Sequence, residues 1–339
     1  MAPRRLEYPL LRLSMSDIPT KTRHRMAVYA IGGNALSDPA LVGGEASAAA
    51  AAAMDAVLSD VVDLLEAGTR VVITHGNGPQ VGEMLLMEEA LFDRRRDDGE
   101  SAPPPEGLDH WVAATQGTLG HEIATRLDYV LRGRGRHEQV ATLLTRVEVD
   151  PDDPAFASPT KPIGPLIDDL DAVPKEWQIG VTAKGPRRVV ASPVPLSIVD
   201  DDAIAALLGA GAVVLCAGGG GIPVVKHGDG HRGVDAVIDK DRVSALLATS
   251  LAADMLVIST AIDAIRLDFG EESERTLREL SRSEAEQHME SGQFPPGSMG
   301  PKVSAMLLAK SANPQMQVVL CQPGEAFAAL RGEAGTEII

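Results

Sequence analysis

Short apolar runs alternate along this chain with longer amphipathic stretches, and glycines mark the boundaries between them. Met26–Ile31 is a compact apolar run that stops at Gly32-Gly33-Asn34. Residues 46–67 have helical propensity throughout and end at Gly68, a natural C-cap. Residues 70–74 (RVVIT) read as a buried strand running into His75-Gly76-Asn77-Gly78-Pro79-Gln80. Residues 80–91 then place Val81, Met84, Leu85 and Leu91 at helical spacing. Residues 97–106 predict a loop, 111–131 a long helix, and 138–149 one partly exposed strand. From 150 to 195 prolines are dense and helical periodicity is poor, which predicts an irregular or hairpin-containing excursion from the main sheet.

The second half restarts the rhythm. Residues 200–208 predict a helix, and 212–217 (AVVLCA) a buried strand that runs into four glycines at 218–221. Residues 236–252 predict a helix carrying Asp239-Lys240-Asp241 at its start. Further strands are expected at 253–260 and Gln317–Cys321, with helices at 283–291 and from 302, and a loop at 297–301. Such alternation specifies an α/β fold, a mainly parallel sheet with helices on both faces.

Composition agrees. Hydrophobic residues make up 44% of the 339 and aromatics only 3%, so the core is built from Ala, Val, Leu and Ile, which parallel sheets between helices use heavily. The formal net charge of -17 argues against nucleic acid and anionic membranes as partners. It also means that any phosphate site must gather its cations locally. Cys216 and Cys321 both lie in apolar runs and read as small core residues of a reducing, cytoplasmic compartment. The uncharged run 203–225 reaches the ~20 residues of a membrane span, but Gly209, Gly211, the four glycines and Pro223 break it. Residues 1–25 carry six basic side chains without a long apolar segment, and read as a disordered extension.

Three glycine loops follow three apolar strands and lead into helices. Helix N-termini offer free N–H donors to an anion, and glycine lets the backbone approach it. Asn34 and Asn77 add side-chain donors. The chain has no Walker-type G-x-x-x-x-G-K-[ST], and its one literal G-x-G-x-x-G, at 228–233, lies in a polar turn and predicts a hairpin. The histidines show no metal-ligand spacing. Lysine is scarce, 8 against 23 arginines, yet Lys161, Lys240 and Lys302 all lie in apolar or Gly/Pro-bounded settings. A compact ammonium suits a phosphoryl oxygen that moves during transfer. Asp239 and Asp241 either cap the helix start, or one orients the lysines while the other helps hold Mg²⁺, as phosphoryl transfer requires.

Several blocks resemble the carbamate kinase family: Gly32-Gly33-Asn34-Ala35-Leu36, HGNGPQVG at 75–82, Thr115-Gln116-Gly117, Asp153-Pro154-Ala155-Phe156 and Pro159-Thr160-Lys161-Pro162-Ile163-Gly164. GGGGIPV at 218–224, AVIDKD at 236–241 and FPPGSMGPK at 294–302 complete the series, in family order from Met26 onward. The resemblance implies the amino acid kinase fold, an open αβα sandwich with a small protruding subdomain, usually a homodimer. It implies the reaction ATP + carbamate ⇌ ADP + carbamoyl phosphate with Mg²⁺, often run toward ATP in arginine breakdown.

By position, the resemblance assigns Gly32, Gly33, Asn34, Gly76, Asn77, Gly78, Gly219 and Gly220 to the carbamate and the transferred phosphoryl group. Lys161, on a subdomain at about 150–195, would close over that group. Lys240 and Lys302 would neutralise phosphates, both near solvent, with Asp241 organising them and Asp239 as the metal candidate. Thr260, Asp263, Met299, Gly300, Pro301 and Lys302 would surround the nucleotide. This divides the chain into an acid-binding lobe at 26–205 and a nucleotide-binding lobe at 206–339. Two departures stand out. Pro186 precedes Arg187-Arg188 where the family commonly has tryptophan, the nearest being Trp177, and Ile262 precedes Asp263 where valine is usual. A sister kinase of the same fold acting on another carboxylate or phosphate, and a non-catalytic binder that keeps the fold, are the competing readings.

Overall fold

The computed structural model describes residues 24–32, 44–78, 80–98, 106–171, 173–175, 177–182, 185–295 and 299–339. The expectations for Gly33, Asn34 and residues 1–23 lie outside the described residues. The chain opens with β1 (Met26–Ile31), α1 (Gly44–Glu66), β2 (Arg70–His75), α2 (Gln80–Asp97) and α3 (Leu108–Gly133). Next come β3 (Val140–Thr142), β4 (Arg146–Val149), β5 (Lys161–Ile163), β6 (Gln178–Thr182), β7 (Gly185–Val190) and β8 (Pro195–Ile198). Then follow α4 (Asp201–Gly209), β9 (Val213–Leu215), β10 (Ile222–His227), β11 (Gly230–Gly233) and α5 (Lys240–Ser250). The last part holds β12 (Met255–Ser259), β13 (Ile265–Leu267), β14 (Arg275–Leu277), β15 (Glu279–Leu280), α6 (Arg282–Glu290), α7 (Met299–Ala312), β16 (Gln317–Cys321), α8 (Ala326–Leu330) and β17 (Thr336–Ile338).

Among the described residues eight strands form the central sheet in the order β15-β17-β16-β12-β1-β2-β9-β3, parallel except where β17 runs against β16. Side chains alternate between its two faces, as strand geometry demands. On β1, Val28 and Ala30 join the core under α4, α5 and α7, while Ala27, Tyr29 and Ile31 join the core under α1, α3 and α8. Both faces are covered, so the central strands are apolar at every position rather than at every second one. Burying each Val or Ile contributes roughly 1.5–3 kcal/mol. Helix α1 ends as its glycine predicts: Gly68 takes φ +79°, and the N–H groups of Gly68 and Thr69 donate to Leu65 O and Leu64 O, both at 3.0 Å.

Among the described residues three smaller sheets accompany it: β11-β10-β4-β8, β5-β7-β6 and β13-β14. The antiparallel β5-β7-β6 sheet is the hairpin-containing excursion expected between 150 and 195. It is fastened to α2, where a Cβ on Gly82 would lie 2.2 Å from Gly164 N. Arg188 on β7 donates to both oxygens of Glu89 on α2, at 2.9 and 3.1 Å. The Arg188 guanidinium also stacks 4.5 Å over the Trp177 ring. Trp177 thus supplies an indole to the basic pair from a different place in the sequence. The polar glycine turn at 228–229 closes the β10–β11 hairpin, as read.

Several expectations need correction. Residues 138–149 are two strands in two sheets: β3 pairs with β9, whereas β4 pairs with β10 and β8. The break falls at Thr145, whose backbone is held on both sides by the Gln116 amide. The helix expected from 236 begins only at Lys240, because Asp239 caps it and Val237 N–H donates to Ala191 O at 3.0 Å. Helix α7 begins at Met299, so Met299-Gly300-Pro301 is helical and not loop. Helix α2 continues to Asp97. Strands β9 and β10 pair with the first-half strands β2, β3 and β4, so hydrogen bonding between strands crosses residue 206.

Candidate active site

The C-terminal ends of β1, β2, β9 and β12 lie side by side in the central sheet, and each runs into one of the polar or glycine-rich segments. This is where open α/β sheets gather ligands. Helix α5 starts at the same end. Asp239, its N-cap, accepts from the backbone N–H groups of Asp241 at 3.0 Å and Arg242 at 3.3 Å through Oδ1. Its other oxygen accepts from Lys161 Nζ at 2.8 Å. Asp241, in the first turn, accepts from Lys240 Nζ at 2.5 Å on Oδ1 and from Lys302 Nζ at 2.8 Å on Oδ2. The three lysines come from β5, α5 and α7, yet they converge on two carboxylates at the start of one helix.

Lys240 and Asp241 are buried, and the Lys302 side chain is only 16% exposed, so the near-solvent placement expected for the two lysines is corrected. Their charges persist because they are shared. Burial would raise Asp241, but the Lys240 and Lys302 ammoniums outweigh it and hold the carboxyl well below the usual range. Burial likewise pulls Lys302 down, and Asp241 more than restores it, so Lys302 lies above its ordinary value. Lys240 is held below its ordinary value by burial, which Asp241 opposes and the neighbouring Lys302 reinforces. Asp239 is lowered in spite of burial, chiefly by Lys161. Three cations against two anions leave a net positive spot on a strongly acidic chain.

The glycines around this cluster make room. The turn Gly218–Gly220 is wedged between the β2 end and the start of α5. A Cβ on Gly218 would stand 2.4 Å from His75 Nε2, and one on Gly219 1.8 Å from Asn77 Oδ1. On the other side, a Cβ on Gly220 would meet Ile238 O at 2.3 Å. Gly78 adopts φ +58°. Gly32 and Gly76 serve approach rather than donation: their N–H groups already donate to Ser259 O at 2.8 Å and Ile31 O at 3.3 Å.

The nucleotide-assigned residues divide. Thr260 is buried beside Gly32, its N–H donating to Cys321 O at 2.9 Å, and Met299, Gly300 and Pro301 share the first turn of α7 with Lys302. Asp263 pairs with Arg266 at 2.9 Å.

Sequence reading missed the polar scaffolding. Thr74 Oγ1 donates to Ser244 Oγ at 2.7 Å, which passes its own proton to Lys240 O at 2.7 Å, tying β2 to the first turn of α5. His75 donates from Nδ1 to Gly76 O at 2.8 Å, and burial, then Lys240, lowers its pKa and favours the neutral ring. Thr115 and Gln116 hold Asn77 and Thr145. For His75, Thr115 and Gln116 the only signal was their place inside the resemblance blocks, and Thr74 and Ser244 gave none.

Residues 25–320 match the amino acid kinase family. A carbamate kinase of Staphylococcus aureus is 40% identical over 316 residues, covering 92% of this chain and 98% of its own. The chain belongs to the amino acid kinase family, among the carbamate kinases. A carbamate kinase-like protein of Escherichia coli is likewise 40% identical over 316 residues, with the same coverage of both chains. The carbamate kinase of Giardia lamblia, solved with AMP-PNP, superposes with a TM-score of 0.81 at 33% identity, over 93% of this chain and 98% of that one. The amino acid kinase fold expected from the sequence is therefore the fold observed.

Proposed function

We propose that this member of the family transfers a phosphoryl group reversibly between ATP and carbamate, giving ADP and carbamoyl phosphate. The observation that carries the reading is the meeting of Lys161, Lys240 and Lys302 on Asp239 and Asp241 beside three glycine-lined strand ends. Phosphoryl transfer asks a protein mainly for positioning and charge neutralisation, and this cluster offers both. Lys240 and Lys302 face the transferring and leaving oxygens, Asp241 holds them apart at a fixed spacing, and Lys161 brings a third charge from the protruding sheet. Gly76, Asn77, Gly78, Gly219 and Gly220 shape the acid pocket, with Gly33 and Asn34 assigned there from the sequence alone. Thr260, Met299, Gly300 and Pro301 border the nucleotide, and Asp263 would have to leave Arg266 to join them.

Asp239 does not fit a role as metal ligand, because both its oxygens are engaged, by Lys161 and by the N–H groups it caps. Among the described residues no group of three metal-ligating side chains exists. Mg²⁺ in this reading arrives on the nucleotide phosphates. No described helix is long and apolar enough to cross a membrane. The family's usual homodimer, cytoplasmic place and role in arginine breakdown belong to the same proposal. The deciding experiment is a coupled assay of ATP formed from ADP and carbamoyl phosphate, beside acetyl phosphate. Selective use of carbamoyl phosphate supports the reading, and equal use of acetyl phosphate would redirect it to a sister substrate.

A further inference from the structure

The Thr115-Gln116 pair has no part in the reaction as drawn above, yet it bonds to the segments on both sides of the acid pocket. Gln116 brackets Thr145, accepting from its N–H at 2.9 Å and donating to its carbonyl at 3.3 Å. Thr145 Oγ1 in turn accepts from Ala217 N–H at 3.0 Å, immediately before the four glycines. Thr115, fully buried, has its hydroxyl 2.7 Å from Asn77 Oδ1. The hydroxyl also lies 2.9 Å from Val112 O. That carbonyl already serves as an acceptor within α3, so the nearer Asn77 oxygen is the better destination for the single proton.

Asn77 is 8% exposed, and its Nδ2 is a buried donor with no hydrogen-bond partner among the described residues. A buried donor left unpaired costs roughly 1–3 kcal/mol, a cost that an acceptor oxygen on a bound ligand would recover. We propose that Thr115 is a positioning residue: by holding Asn77 Oδ1 it turns the Nδ2 donors toward an oxygen of the bound acid or its phosphoryl group. The proposal rests on the reading of the site given above. Without the hydroxyl, the amide is free to rotate and to present its carbonyl to an anion instead.

The test is a double-mutant cycle on the full chain. Thr115→Val lowers kcat/KM for carbamoyl phosphate roughly tenfold, the effect of ~1.4 kcal/mol, while KM for ADP stays put. Thr115→Ser, which keeps the hydroxyl, restores most of the loss. In an Asn77→Ala background Thr115→Val has no further effect. An equal loss in that background, or a Thr115→Ser enzyme as impaired as Thr115→Val, would overturn the assignment. Calorimetric titration with inorganic phosphate reads the same cycle without turnover. A parent protein that binds phosphate but ignores carbamoyl phosphate therefore sinks the substrate assignment and leaves the Thr115 result to stand or fall separately.

Discussion

Lys302 donates to Asp241 across 61 residues of chain, and the bond joins the first turn of α7 to the first turn of α5. With Lys240 on the opposite oxygen, one buried carboxylate fixes the spacing of two ammoniums. Neither lysine is a surface residue whose loss would pass unnoticed by the fold.

Lys302→Ala and Lys240→Ala are therefore each expected to lower kcat by roughly 10²–10³, the effect of losing one preorganised electrostatic donor. Each also lowers stability, though by less than the ~3–5 kcal/mol of a fully unpaired buried charge, because the other lysine remains on Asp241. Steady-state kinetics and denaturant melts check both parts. Wild-type turnover in either variant contradicts the assigned roles.

Asp241→Asn tests the same carboxylate through pH. Its folded pKa is depressed below the unfolded value of about 3.9. The stabilisation it brings is present above pH ~4 and is lost as pH falls through the folded value. The difference in Tm between the wild type and Asp241→Asn should thus shrink between pH 6 and pH 3. A constant difference across that range would show that the charge is not what stabilises.

Gly82→Ala probes how the protruding sheet is seated. Its Cβ would lie 2.2 Å from Gly164 N and 2.3 Å from Gly164 Cα, both backbone atoms that cannot rotate aside. The end of β5 must move, and Lys161 moves with it. A fall in kcat with a stability loss of about 1–3 kcal/mol is expected. A fully active variant would mean that Lys161 does not need this seat.

Lys161→Ala should impair transfer more than nucleotide affinity, since Lys161 is bonded to Asp239 and stands on the sheet rather than on α7. Comparing kcat with the Kd for ADP decides the matter. If only ADP binding weakens, its assignment to the phosphoryl group is wrong.

The central sheet was legible because strands buried on both faces leave unbroken apolar runs, as in β1, β2, β12 and β16, and because glycines mark where they stop. Less was legible at residues 138–149, where an unbroken strand-like pattern hides the transfer from one sheet to another. That break is made by Gln116, more than 20 residues earlier in the chain, and no local pattern encodes it. The start of α5 was misread for a similar reason: 236–238 are apolar enough for a helix, but the Asp239 cap decides the boundary. The lysines were singled out by scarcity and setting, while their burial came from Asp241, a partner that spacing alone does not reveal. Thr74 and Ser244 were invisible because a buried hydroxyl looks like any other in sequence, and Thr115 was visible only as part of a resemblance block, without its role.

The Lys161–Asp239 bond has a thermodynamic consequence. An anion that draws Lys161 away loosens the tether between the protruding sheet and α5, and the tether in turn competes with the anion. By linkage the two effects are equal in free energy. If Lys161 serves the anion as proposed, occupancy of the pocket and the posture of the sheet form one coupled equilibrium, and weakening Asp239 would tighten the hold of Lys161 on its guest.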